Sequence, residues 1–131
     1  MKIESMIGEE LSVEIVVTED DTAKSFGSGS IDVYATPKMV GLMENAALSL
    51  AQRGLDEGFS TVGTKVEVKH LAATPVGMKV TGKAKLVEVD RRRLLFEVEA
   101  FDEAEKIGEG IHERFIVDVE KFLGKTKNKG N

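Results

Sequence analysis

Between Lys38 and Arg53 the chain carries one ionisable side chain, Glu44, within a run from Met39 to Ala51 that is apolar or small on nearly every face. An amphipathic surface helix would show one polar face, so this pattern reads as a helix surrounded by protein. Its ends are marked in the sequence. Thr36 is a favourable N-cap residue, Pro37 suits the first helical position, and Arg53-Gly54 supplies a basic last turn and a C-terminal glycine.

A buried helix needs a wrapper, and most of the remaining chain alternates with period two. Val13, Ile15 and Val17 share one face of a first strand, and Val62, Thr64, Val66, Val68 and His70 share a face of a second. Met78, Val80, Gly82, Ala84 and Leu86 define a third strand, whose parity slips at Val87 and Val89 as a β-bulge would cause. Leu94, Phe96, Val98 and Ala100 define a fourth, and Ile107, Ile111, Phe115, Val117 and Val119 a fifth. Hairpin-length gaps imply antiparallel pairing. The expected fold is therefore α+β: about five antiparallel strands wrapped around one long central helix, the hotdog arrangement. The 131 residues fit one domain, expected over 1–123, with a basic, frayed tail over 124–131. An unpaired edge strand favours a two-fold homodimer.

Composition removes several function classes. Without cysteine there is no disulfide, thiolate metal site or cysteine nucleophile, and two histidines make a multi-histidine metal cluster a poor expectation. A net charge of −5, 5% aromatics and no Trp argue against nucleic-acid binding. Met1 to Leu11 carries Glu4, Glu9 and Glu10 without an apolar core, unlike a signal peptide, and no stretch approaches the ~20 apolar residues of a membrane span. The expectation is a cytoplasmic domain, off the membrane, that acts on small molecules or other proteins.

Three residues break the pattern informatively. Glu44 has Val40, Gly41, Ala47 and Leu48 as its helical neighbours, so nothing on its own helix neutralises it. A lone carboxylate there is costly unless it is paired, hydrogen-bonded or needed for acid–base or nucleophilic work; it also reads as a glutamate pointing outward. His70 keeps the parity of the inward valines, and histidine exchanges protons near neutral pH, although an inward histidine is often a satisfied core residue. Thr36 is explained by capping alone, yet a hydroxyl at a helix N-terminus also suits developing negative charge. Eight residues separate it from Glu44, about 12 Å along an ideal helix, so direct contact within one chain is not expected. Gly63, inside a strand, suggests a bulge or a close backbone approach by a ligand. His112 shares a face with Gly108, Gly110 and Arg114 and reads as an outer or rim position. Arg91-Arg92-Arg93 reads as a solvated hairpin tip rather than a phosphate site.

Taken in order, Met39-Val40-Gly41-Leu42-Met43-Glu44, Gly63-Thr64, His70 with Ala72-Ala73-Thr74-Pro75 and Gly77, then Gly108 and Gly110 with His112-Glu113-Arg114, and Glu120-Lys121-Phe122 resemble the fluoroacetyl-CoA thioesterase family of hotdog proteins. The resemblance implies Thr36, Glu44 and His70 as the catalytic set and Gly63 and Arg114 as residues near the acyl group. It also implies an acyl-CoA substrate, with coenzyme A as part of that substrate, no further cofactor and no metal. In the family a phenylalanine-bearing lid precedes the helix. Here that stretch, Ser25 to Ser30, is rich in glycine and serine with Phe26 its only aromatic, which implies a different acyl specificity.

The activity expected is hydrolysis of a small acyl thioester to acid and thiol. Glu44 would serve as nucleophile or as general base, and His70 would move protons. A non-catalytic dimer that binds an acyl-CoA, and a hotdog hydratase or dehydratase, stand beside it as alternatives.

Overall fold

The computed structural model describes residues 1–130; Asn131 lies outside the described residues. The order of elements is β1 (Glu10–Val16), a short helix α1 (Ala23–Phe26), the long helix α2 (Thr36–Gln52), β2 (Phe59–His70), β3 (Lys79–Asp90), β4 (Arg93–Phe101), β5 (Lys106–Asp118) and a C-terminal helix α3 (Val119–Lys129). The five strands form one antiparallel sheet in the order β1-β3-β4-β5-β2. The sheet wraps α2, as the alternation predicts for a hotdog fold.

Helix α2 buries Met39, Leu42, Met43, Ala46, Leu50 and Ala51 against the inward residues of the sheet, among them Val80, Leu86, Leu94, Phe96 and Val98. Two glycines let it sit close. A Cβ on Gly82 would stand 2.7 Å from Leu42 Cγ, and one on Gly108 would stand 2.6 Å from Met39 Sδ. Real atoms do not approach so closely, so a side chain at Gly82 would press on Leu42 beside the helix backbone, and one at Gly108 would displace the ends of Met39 and Met43.

The predicted parity holds through β3 and β4, including the bulge in β3, where pairing with β4 slips between Leu86 and Glu88. In β5 it does not. Ile107 is an extra residue opposite the Ala100–Phe101 step of β4, so Ile107 and Gly108 both face inward and every later residue changes side. His112, Arg114 and Ile116 are therefore buried, while Phe115 is exposed. The expected face of Ile111, Phe115 and Val117 is the outer one, and the expected rim position of His112 is an interior one. Strand β2 also carries a bulge, at Thr64, where pairing slips between Gly63 and Lys65. Thr61 and Gly63 lie on the helix side of the sheet before it and Val66, Val68 and His70 after it, although Val66 on that side stays exposed; Val62 and Thr64 lie on the other side, against the simple alternation.

The tail corrects another expectation. Instead of fraying at Gly124, the chain continues as α3 to Lys129. The signals are local: Asp118 caps the N-terminus by accepting from the Lys121 N–H, Glu120 lies in the first turn, and Lys127 and Lys129 lie in the last. The helix buries no residue, which is why no apolar period announces it. At the β3–β4 hairpin Arg91 adopts a left-handed conformation and Arg93 turns back to pair with Glu88 and Glu113, so the arginine run is a charged tip.

Candidate active site

Helix α2 starts one residue earlier than its sequence suggests. Ala35 is the N-cap, and Thr36 is already helical, so its hydroxyl does not cap. That frees it for another partner: Thr36 Oγ1 lies 2.7 Å from Nδ1 of His70, at the far end of β2. The other ring nitrogen, Nε2, is buried with no hydrogen-bond partner. An unpaired buried polar atom costs on the order of 1–3 kcal/mol, so it marks a place where a ligand or water belongs. Burial pushes the His70 pKa below its ordinary 6.5, partly offset by the Ala72 backbone, so the ring is neutral at pH 7.

This pair forms one wall of an open pocket of about 420 Å³, completed by Ala23, Ser28, Val33, Tyr34 and the Leu71–Ala73 segment. Segment 25–30, expected as a flexible lid, is partly ordered. Its first residues belong to α1, which Thr22 caps and Gly27 ends in a left-handed turn. Phe26 does not enter the pocket; its ring is half exposed, with Lys38 Nζ 5.8 Å above it.

Two turns along α2, Glu44 reaches a second cluster, at the β2 bulge. A Cβ placed on Gly63 would lie 3.3 Å from Glu44 Oε2, 3.3 Å from Arg114 Nη1 and 3.2 Å from His112 Cε1. Three side chains thus converge over one glycine, and a Cβ there would press each of them by a few tenths of an ångström. Arg114 is held by neutral acceptors: its Nε donates to Thr61 Oγ1 at 2.7 Å, its Nη2 to the Thr61 carbonyl at 2.9 Å and its Nη1 to His112 Nε2 at 3.1 Å. Among the described residues the Glu44 carboxylate makes no hydrogen bond or ion pair of its own. Its charge nevertheless acts on both neighbours, favouring the protonated forms of Arg114 and His112 against the burial that disfavours them.

Of the five residues expected at a site, the structure thus brings Thr36 to His70, and Glu44 to Gly63 and Arg114. No hydrogen bond within one chain joins the two groups. His112, at the heart of the second cluster, escapes the sequence reading because the Ile107 bulge reverses its face. Among the described residues, no three His, Asp or Glu side chains are grouped as metal ligands would be, and no helix is long and apolar enough to cross a membrane.

The sequence and the overall fold are matched among known proteins. A curated fluoroacetyl-CoA thioesterase from Streptantibioticus cattleyicolor is 38% identical over 98% of this chain and 97% of its own. A solved structure of a fluoroacetyl-CoA thioesterase mutant in complex with acetyl-CoA is 37% identical, with a TM-score of 0.90 over 95% of this chain and 98% of that one. A Thermus thermophilus protein described as a thioesterase superfamily member is 32% identical, with a TM-score of 0.88 over 95% of this chain and 92% of its own. The sequence profile of the fluoroacetyl-CoA-specific thioesterases matches residues 17–120. With the profile spanning most of the fold and the likeness running almost end to end, this chain belongs to the fluoroacetyl-CoA-specific thioesterase family.

Proposed function

We propose that the protein hydrolyses a small acyl-CoA thioester to the free acid and coenzyme A, as a homodimer in the cytoplasm, with Thr36, Glu44 and His70 as catalytic residues and Gly63 and Arg114 beside the acyl group. The observation that carries this reading is the Glu44 carboxylate: unpaired, half-buried and set over Gly63 beside a fixed guanidinium. A carboxylate so placed keeps its lone pairs for chemistry.

In the nucleophilic route Glu44 attacks the thioester carbonyl carbon, the C–S bond breaks and coenzyme A leaves as the thiolate. Water then hydrolyses the acyl-glutamyl anhydride, restoring the carboxylate; the neutral His70 ring takes the proton of that attacking water and passes it to the thiolate. In the general-base route Glu44 instead takes the proton from an attacking water. Thr36 orients the His70 ring or bonds the thioester oxygen, and backbone N–H groups at the start of α2 favour the oxyanion. Neither route as written calls for a metal or a further cofactor.

Dimerisation supports the assembly of the site. β2 is an edge strand, exposed from Gly63 to Glu67, with Val66 open to solvent. Antiparallel pairing of two copies of β2 about a two-fold axis would cover that edge. It would also carry the Thr36–His70 end of one chain toward the Gly63–Glu44 region of the other. A dimer would thereby bring together two groups that a single chain leaves about 12 Å apart along α2. The absence of cysteine suits a reducing compartment such as the cytoplasm. The position of Phe26, outside the pocket, supports an acyl preference different from that named for the relatives.

Mass spectrometry of the products from acetyl-, fluoroacetyl-, short branched, medium-chain and aromatic acyl-CoAs tests the reading. Free acid and coenzyme A are expected from at least one substrate. An added water with the thioester intact would indicate a hydratase, and saturable binding without turnover would indicate a binding protein.

A further inference from the structure

His112 is buried, belongs to no catalytic set assigned above, and has two neighbours that fix its state. Its Nδ1 lies 2.8 Å from the Lys65 carbonyl oxygen, which can only accept, so Nδ1 carries the hydrogen. Its Nε2 lies 3.1 Å from Arg114 Nη1, which can only donate, so Nε2 presents its lone pair. The ring is therefore the neutral Nδ1–H tautomer, anchored at one end to the backbone just past the β2 bulge and at the other to the guanidinium. Phe96 backs it, with ring centroids 6.4 Å apart. The remaining partners of Arg114, the hydroxyl and carbonyl of Thr61, are neutral as well. Without the Nε2 acceptor, Nη1 would have the Glu44 carboxylate as the nearest negative charge on its side of Gly63.

We propose that His112 is a positioning residue for the hydrolysis, holding Nη1 of Arg114 on its Nε2 so that the guanidinium stays beside Glu44 without closing into an ion pair with it. The inference rests on the thioesterase reading and deepens it. A contact pair through Nη1 would occupy a carboxylate oxygen and blunt it as nucleophile or base. A guanidinium held back still lends its charge to Glu44 and to an oxyanion forming near Gly63.

Two variants separate this role from a merely structural one. His112→Gln can place an amide oxygen near the Nε2 position and keep an acceptor for Arg114. His112→Asn can place its amide N–H near Nδ1 and keep the bond to Lys65, but offers Arg114 nothing. If positioning is the role, His112→Gln retains kcat within about threefold, and His112→Asn loses about tenfold or more with KM little changed. In an Arg114→Gln background that difference disappears, because the residue through which His112 acts is gone. Nitrogen NMR of the wild-type protein, which needs no activity, is expected to show the Nδ1–H tautomer of His112 at neutral pH. An Nε2–H ring, or His112→Asn as active as His112→Gln in an active wild-type background, overturns the positioning role alone. A wild type that releases no thiol from any acyl-CoA overturns the hydrolysis reading and this role with it.

Discussion

The Thr36 hydroxyl meets Nδ1 of His70 at 2.7 Å across 34 residues of sequence, joining the first residue of the central helix to the last of β2. The bond exists because α2 begins at Thr36 rather than after it. A threonine that capped the helix would spend its oxygen on a backbone N–H of the first turn. Here it is left to orient a histidine whose other nitrogen is buried and unpaired. Thr36→Val, which removes the hydroxyl and keeps the shape, is expected to lower kcat by about tenfold or more, while Thr36→Ser stays within about threefold. Steady-state kinetics with one acyl-CoA checks both.

The pH dependence follows from burial. Because burial holds His70 below its ordinary 6.5, the acid limb of the kcat/KM profile is expected to have its midpoint below 6.5, with activity falling as the ring protonates. A midpoint above 6.5 would contradict the assignment.

Both histidines also make the fold acid-sensitive. His70 and His112 have folded pKa values below the unfolded 6.5, so as pH falls from 6.5 toward those values the unfolded chain binds more protons and stability declines. Above 6.5 both rings are neutral in either state and contribute nothing to the slope. Thermal melts are expected to hold a constant midpoint above about pH 7 and to lose stability below about 6.5. His112→Asn removes its share of that slope.

The proposed completion of the site across a dimer makes a complementation prediction. Thr36→Val and Glu44→Gln proteins, each weakly active alone, are expected to regain activity when unfolded together and refolded as mixed dimers, because one of the two sites in each mixed dimer is then intact. Unchanged activity in proven mixed dimers would place both groups in one chain.

Gly63→Ala tests the crowding at the second cluster. Its Cβ would enter 3.2 to 3.3 Å from His112, Arg114 and Glu44, so those side chains must shift by a few tenths of an ångström. The expected result is a loss of kcat of about tenfold with a small change in melting temperature. A large loss of stability with normal turnover per folded molecule would show that the glycine serves the bulge instead.

Much of this was legible in the sequence where spacing is regular. The buried helix showed itself through the solitary Glu44, and β3 and β4 through strict alternation, since each residue pair there meets one face of water and one of core. Gly63 pointed to its bulge because an isolated glycine in a strand is otherwise a poor choice. Legibility ends where one inserted residue inverts a face. The Ile107 bulge leaves no compositional mark, and it turned His112 and Arg114 from apparent rim positions into the interior. Arg114 was reached only through family resemblance, and His112 not at all. The partner of Thr36 was hidden for a different reason: a threonine before proline is already explained by capping, and only the position of the first helical turn decides between the two uses. Helix α3 escaped notice because it buries nothing and so has no apolar period.

The most direct test of the account is thiol release from a panel of acyl-CoAs by the wild-type protein beside Glu44→Gln, both verified as folded. The account predicts release by the wild type from at least one small acyl-CoA and a loss of about two orders of magnitude or more in Glu44→Gln. Release within about threefold of wild type by Glu44→Gln would contradict the assignment of the unpaired carboxylate as the group that does the chemistry.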